Sequence, residues 1–358
     1  VKENINKGNM STLNCPEEVY LAEKLVEINP WADMVRFART GGEANAIAIR
    51  ISRAASGKDN IAICGYHGWH DWYLSANHNN DDNLSAHLIS GLEPNGVPKN
   101  LKDSVFPFNY NDFDYLRKLV KEKDIGVIKM EVIRNIEPKN NFLEKIRDLA
   151  TREGIVLIFD ECTSGFRENF SGIHIKYGVE PDIAMYGKAL GNGYAITAVV
   201  GRRNVMEAAQ KTFISSTFWT ERIGPTAALK TLEVMEREKS WEKITLLGNY
   251  MRKQWQDISK KHDILIKING LPSISSFNFI HKDANKYKTF LTQEFLKKGY
   301  LASTYFYASM AHNRSIIDNY SKVLDEVFFE IKKCISGEKN IDLLLQGKVS
   351  HRGFKRLN

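Results

Sequence analysis

The chain has 358 residues, 43% of them hydrophobic and 26% charged, ordinary values for a globular protein that exclude a disordered chain and suggest roughly two domains. Lys and Arg outnumber Asp and Glu by 50 to 43, a net charge of +7, yet the basic residues are scattered without a recognition motif, and the densest run, His351 to Arg356, lies at the C-terminus; no nucleic-acid partner is expected. No apolar run approaches the ~18 residues of a membrane span, and Cys15, Cys64, Cys162 and Cys334 lack metal-ligand spacing, so a reduced cytoplasmic protein with no membrane partner and no metal is expected.

Residues 1–15 are polar. Pro16 then opens a helix, with Glu17 and Glu18 at its positive end and Val19, Ala22, Leu25 and Val26 at helical spacing, stopped by Pro30. A short strand, Met34 to Ala38, leads to Gly41 and Gly42 and a helix whose apolar face is Ala44, Ile47, Ala48 and Ile51. Gly-Gly before a helix is either a plain turn or an anion site built from exposed backbone N–H groups. The strand Asn60 to Cys64 runs into GYHGWHDWY, an aromatic loop able to stack on a planar ligand. His67 and His70, three residues apart without a third ligand nearby, read as packing and hydrogen-bonding rings rather than metal ligands.

Residues 77–104, rich in Asn, Asp, Gly and Pro, read as a surface loop that could act as a lid. A helix from Asp112 to Lys123 and a strand from Gly126 to Val132, with Glu131 near its end, follow. After the helix Phe142 to Glu153 comes the densest chemistry. One apolar run, Ile155 to Phe159, ends on Asp160 and Glu161; a second, Ile183 to Tyr186, ends on Gly187 and Lys188 in a Gly-rich turn.

Strands alternating with helices predict a mostly parallel sheet, and the carboxyl edge of such a sheet is where ligands bind. An acid and an amine arriving there together suit a pyridinium cofactor, with an Asp on the ring nitrogen and a Lys as Schiff base. A further strand, Ile196 to Gly201, precedes Ser215, Ser216 and Thr217, whose hydroxyls either cap the helix Ile223 to Glu238 or bind phosphate. From about residue 240 the pattern changes: a long helix, Trp241 to His262, strands Ile264 to Ile268 and Ser275 to Ile280, and a helix Tyr287 to Lys298 predict a small α+β domain.

The motifs TGGEAN, GYHG, IFDE with SGFR, and YGKALGNGY, in that order between about Met34 and Leu232, resemble the class III, fold type I aminotransferases that use pyridoxal 5′-phosphate, and are most similar to their glutamate-1-semialdehyde 2,1-aminomutase branch. The resemblance implies an α/β fold, with a mostly parallel central sheet flanked by helices over residues 31–240, a small C-terminal domain over 241–358, and residues 1–30 packing with that small domain. It implies that Lys188 carries the cofactor and shuttles a proton, and that Asp160 pairs with the pyridine nitrogen. Gly41 and Gly42 match the phosphate turn, where the family usually has Ser or Thr at the place of Gly42. Tyr66, with His67 beside it, matches the stacking residue, and Cys162 stands where Val or Ile packs on the other ring face. Thr163 replaces a longer side chain near the cofactor's hydroxyl. Glu131 matches a glutamate near cofactor and substrate. Thr217 matches a threonine that reaches the neighbouring subunit's phosphate, which implies a homodimer with shared active sites. The family also implies a further segment ahead of Val1 that covers the site and touches substrate.

The activity so implied is transfer of an amino group between a small-molecule donor and a carbonyl acceptor. The rivals are an intramolecular 2,1-aminomutase and a non-catalytic binding or assembly module.

Overall fold

The computed structural model describes residues 1–78, 94–133 and 135–350. The basic run 351–356 and most of the expected lid loop lie outside these residues. The chain divides into two compact units, Val1–Glu238 and Lys239–Asn358.

The first unit is built on a seven-stranded sheet of β1 (Met34–Ala38), β2 (Asn60–Cys64), β3 (Val105–Pro107), β4 (Ile125–Met130), β5 (Val156–Asp160), β6 (Ile183–Tyr186) and β7 (Thr197–Gly201), in the order β1-β7-β6-β5-β4-β2-β3. Strands β2 to β6 are mutually parallel; β7 runs against both β6 and β1, so β1 points the same way as the parallel set. Every residue of β4, β5, β6 and β7 is buried, as expected where helices cover both faces of a parallel sheet.

One face packs on the helix Gly41–Ser56 through Val127, Val156, Ile158, Ile183 and Met185. That helix starts where it does because the Thr40 side chain accepts from Glu43 N while Glu43 Oε2 accepts from Arg39 N at 2.8 Å, a reciprocal cap. Gly57, at φ 68°, ends it. The short β3 was not expected from the sequence. It pairs with β2 alone, at the sheet edge, where Pro107 costs no ladder hydrogen bond.

Residues 1–30, expected with the small C-terminal domain, fall in the first unit. Leu21 and Leu25 of the helix Pro16–Glu27 bury against Ala228 and Leu232 of the helix Ile223–Glu238. Arg222 grips Glu17 with contacts of 2.8 and 3.1 Å. Apolar surface and a two-oxygen ion pair are both met there.

The second unit is a three-stranded antiparallel sheet, β8 (Ile266–Asn269), β9 (Ile274–Phe279) and β10 (Tyr305–Tyr307), with helices Ser240–Lys261, Ala284–Lys297 and Arg314–Ile335. Trp255, Phe277, Phe295 and Phe328 form its core, and Trp255 Nε1 donates to the Tyr320 hydroxyl at 3.2 Å. Strand β10 and the helix Arg314–Ile335 go beyond the elements read from the sequence.

Candidate active site

Five loops converge on the carboxyl edge of the first unit's sheet. They follow β1 (Thr40 to Gly42), β2 (Gly65 to His70), β4 (Glu131), β5 (Cys162 and Thr163) and β6 (Gly187 and Lys188). Parallel strands deliver all five to one side, so the position follows from topology.

Asp160 closes β5 and is 4% exposed. Its Oδ1 accepts from Cys162 N at 3.2 Å, and its Oδ2 lies 2.9 Å from His67 Nδ1 and 3.7 Å from Lys129 Nζ. Burial by itself pushes this carboxyl up, but the Lys129 ammonium and the His67 hydrogen bond outweigh it and hold the group well below the usual carboxylate range. The result is a buried, ionised carboxylate, an unusual group that marks functional sites.

Lys129, which sequence reading passed over, lies in the middle of β4 with no exposed surface. Its Nζ meets Met185 Sδ at 2.9 Å besides Asp160. Burial pulls its pKa down, and Asp160 opposes that pull. The signal was present: a single charge inside a run otherwise apolar enough to be buried on both faces needs a partner.

The neighbouring Glu161 is fully buried on the opposite side. It accepts from the Ser164 hydroxyl, from His174 N at 2.9 Å, and meets His174 Nδ1 at 2.9 Å. Of the acidic pair read from the sequence, only Asp160 belongs to the candidate site.

Lys188 follows β6 in the left-handed region at φ 42°, and its Nζ donates to Thr163 Oγ1 at 2.6 Å. Gly187 permits this approach: a Cβ there would stand 3.0 Å from Thr197 Cγ2 and 3.4 Å from Cys162 Sγ. Burial, and then the Asp160 charge, push the Cys162 thiol far up, so it is a neutral, weakly polar packing surface.

The Tyr66 loop is locked from beneath. Glu131 Oε2 accepts from Tyr66 N at 3.1 Å, and Tyr73 donates to Gly65 O at 2.9 Å. Gly65, at φ 115°, has the carboxylate of Glu131 2.7 Å from where a Cβ would sit. His67 stacks on Trp72 while bonding Asp160, and His70 stacks on Trp69 at 4.8 Å, so the two histidines have separate surroundings.

Gly42 explains the rest of this loop. A Cβ there would meet His70 Cε1 at 2.5 Å and Nδ1 at 2.7 Å, and Gly68 closes to 3.2 Å from Gly42 Cα by the same measure. His70 Nδ1 is buried without a hydrogen-bond partner among the described residues. A helix N-terminus, a close-fitting glycine pair and an unused ring nitrogen make a cradle suited to an anion. With the ionised Asp160, the flat Tyr66 ring and the Lys188 amine, these residues fit an anionic, pyridinium-bearing aldehyde cofactor.

Thr217 is not joined to this cluster. It is exposed, opens a short turn, Thr217–Thr220, and makes no side-chain hydrogen bond among the described residues. Ser216 caps that turn at Phe218 N, while the helix Ile223–Glu238 is capped by Glu221, at 2.6 Å to Ile223 N and 3.0 Å to Gly224 N. Arg36 stacks on Trp219 at 4.2 Å and ties the segment to β1. A separate cavity of about 730 Å³ opens at the opposite, amino edge of the sheet, where Arg147 pairs with Asp182 at 3.0 Å and Arg202 with Glu180 at 2.7 Å. Both of its arginines are already paired.

The sequence profile of the aminotransferase class-III family matches residues 1–310. A 3-aminobutyryl-CoA aminotransferase of Cloacimonas acidaminovorans is 33% identical over 297 residues, covering 80% of this chain and 68% of that protein. A glutamate-1-semialdehyde 2,1-aminomutase of Methanocaldococcus jannaschii is 31% identical over 357 residues, covering 92% and 82%. Among solved structures, the PLP internal aldimine form of the FumI protein of Sphingopyxis sp. MTA144 superposes with a TM-score of 0.84 at 22% identity, covering 96% of this chain and 82% of the other. An omega-transaminase from Sphaerobacter thermophilus gives 0.81 at 20% identity, covering 92% and 82%.

Proposed function

This chain belongs to the class III aminotransferases, fold type I enzymes that depend on pyridoxal 5′-phosphate, and from that premise we propose that it moves an amino group between a small amino donor and a carbonyl acceptor at the carboxyl edge of β1 to β6. One observation carries this reading. Asp160 is kept ionised in a buried position at the end of β5 while Lys188 stands over the adjoining loop at the end of β6.

The residues take these parts. Asp160 would hold the ring nitrogen of the cofactor, Tyr66 and Cys162 would pack on the ring, and backbone N–H groups at Gly41 and Gly42 would receive the phosphate. His67 and Glu131 act one step back, on Asp160 and on the Tyr66 loop. When bound, the cofactor supplies an electron sink that makes the α-hydrogen of an attached amine acidic. Lys188 would be the group that links the cofactor and moves that proton, because a lysine amine can act as both nucleophile and base. Thr163 Oγ1, 2.6 Å from that nitrogen, limits its swing. The neutral, weakly polar Cys162 thiol would keep water off the ring face.

The protein works as a homodimer in which Thr217 reaches the partner's phosphate site. The exposed Thr217, flanked by exposed Phe213 and Phe218, supports this part. A cytoplasmic location is supported by four free cysteines, and among the described residues no helix is long and apolar enough to cross a membrane. The second reading, an intramolecular aminomutase, is supported by the name of the Methanocaldococcus jannaschii relative.

Incubating the purified chain with cofactor and a series of amino donors tests both readings. Transfer gives loss of the visible absorbance of the lysine-linked cofactor together with free keto product; isomerisation of an amino aldehyde without released keto product favours the mutase. Lys188→Ala is expected to lack that absorbance. A wild-type chain that never shows it overturns the enzymatic reading, and a single monomeric species in sedimentation would remove the shared site.

A further inference from the structure

Strand β4 is buried at every position, yet it carries a lysine. Lys129 shares its face with Val127 and looks toward the Ile158 and Met185 side of β5 and β6. No water reaches it, and an uncompensated ammonium in such a place is strongly disfavoured. The Met185 thioether at 2.9 Å is too weak an acceptor to compensate the charge. The carboxylate of Asp160, 3.7 Å away, is the counter-charge.

The same contact acts on Asp160. Its Oδ2 is engaged by Lys129 and by His67, and its Oδ1 accepts the Cys162 N–H. The other ionisable groups around the pair are Glu131 at the end of β4, the Cys162 thiol and, beyond it, Lys188. Cys162 is a neutral thiol, and Glu131 is engaged with the Tyr66 loop. Lys129 is thus the cation within the sheet that acts on Asp160.

We propose that Lys129 is a positioning residue of this active site: its buried ammonium fixes Asp160 as an oriented anion before any cofactor arrives, and so secures the charge that a protonated ring nitrogen requires. This rests on reading Asp160 as the ring-nitrogen partner. Removing the ammonium takes away the largest influence opposing desolvation, so the carboxyl pKa rises and protonation is favoured. The sign follows. A depressed carboxyl contributes stability above its unfolded pKa and loses it as pH falls through the folded value; in Lys129→Met that loss moves to higher pH.

Three measurements on Lys129→Met, Asp160→Asn and the double variant test the proposal. In the cofactor-free protein near neutral pH, Lys129→Met is expected to gain a protonated-carboxyl stretch in the infrared difference spectrum that the double variant lacks. Each single variant is expected to melt lower than wild type, and the double variant to recover, because both charges are gone. Cofactor should bind Lys129→Met about tenfold more weakly, the loss of one charge-assisted contact, with Lys129→Gln behaving alike.

An unchanged infrared spectrum, additive destabilisation without recovery, or unaltered cofactor affinity would each overturn the role. A wild-type chain that shows the ion pair in the first two measurements but takes up no cofactor would overturn the reading of the site and not the pair.

Discussion

Asp160 and Glu161 are consecutive, both buried, and chemically almost the same, yet they do different work. Successive residues at a strand end point to opposite faces. Asp160 follows Val156 and Ile158 toward the helix Gly41–Ser56, where Lys129 and His67 wait. Glu161 follows Phe159 toward His174, where its oxygens are consumed by the loop that folds over them. A buried carboxylate is therefore uninformative until its partners are known. One beside a buried lysine at a ligand edge is available for chemistry; one saturated by a hydroxyl, a backbone N–H and the His174 ring is a tether.

That contrast can be broken experimentally. The largest effect belongs to Asp160→Asn, which removes the anion proposed to face the ring nitrogen: turnover should fall by about 10²–10³, the scale for losing a preorganised electrostatic partner, as read from steady-state rates on cofactor-saturated protein. Glu161→Gln is its counterpart, with loss of a charged acceptor costing about 1–3 kcal/mol of stability in denaturant titration and turnover per folded molecule unchanged within about threefold. If Glu161→Gln proved the more damaging to turnover, the division of labour between the two would be reversed.

Gly42→Ala probes the cradle. Its Cβ must displace the His70 ring, which should cost about 1–3 kcal/mol in overpacking and weaken cofactor binding more than it slows turnover by bound cofactor. Thr163→Val is the mildest: loss of the hydroxyl on Lys188 removes about 1 kcal/mol, a fall of roughly fivefold in turnover, with no change in melting temperature beyond a degree or two expected. The Cys162 thiol, held neutral by burial, should resist alkylation through mildly alkaline pH in the wild type.

Much of this was readable from residue order. Alternating apolar runs and helices placed Asp160, Lys188, Tyr66 and Gly41 at strand ends, and a parallel sheet puts such ends on one edge. Helix 41–56 was marked by its entry glycines and its apolar face. What escaped notice were groups whose meaning depends on neighbours distant in sequence. Lys129 is separated by 31 residues from Asp160 and by 56 from Met185. The short β3 and β10 have too few residues to show a period. The hydroxyl run Ser215 to Thr217 could not reveal that Glu221, not a serine, caps the next helix.

By itself, then, the amino-acid order determined the family, the sheet and the candidate acid and amine, because strand alternation, helix spacing and turn chemistry act over a few residues. Only the tertiary structure decided which of two adjacent carboxylates belongs to the site, why Gly42 carries no side chain, and that a lysine lies within the sheet beneath Asp160. Those outcomes depend on which face each helix covers and on charges that meet only when β2, β4, β5 and β6 stand side by side.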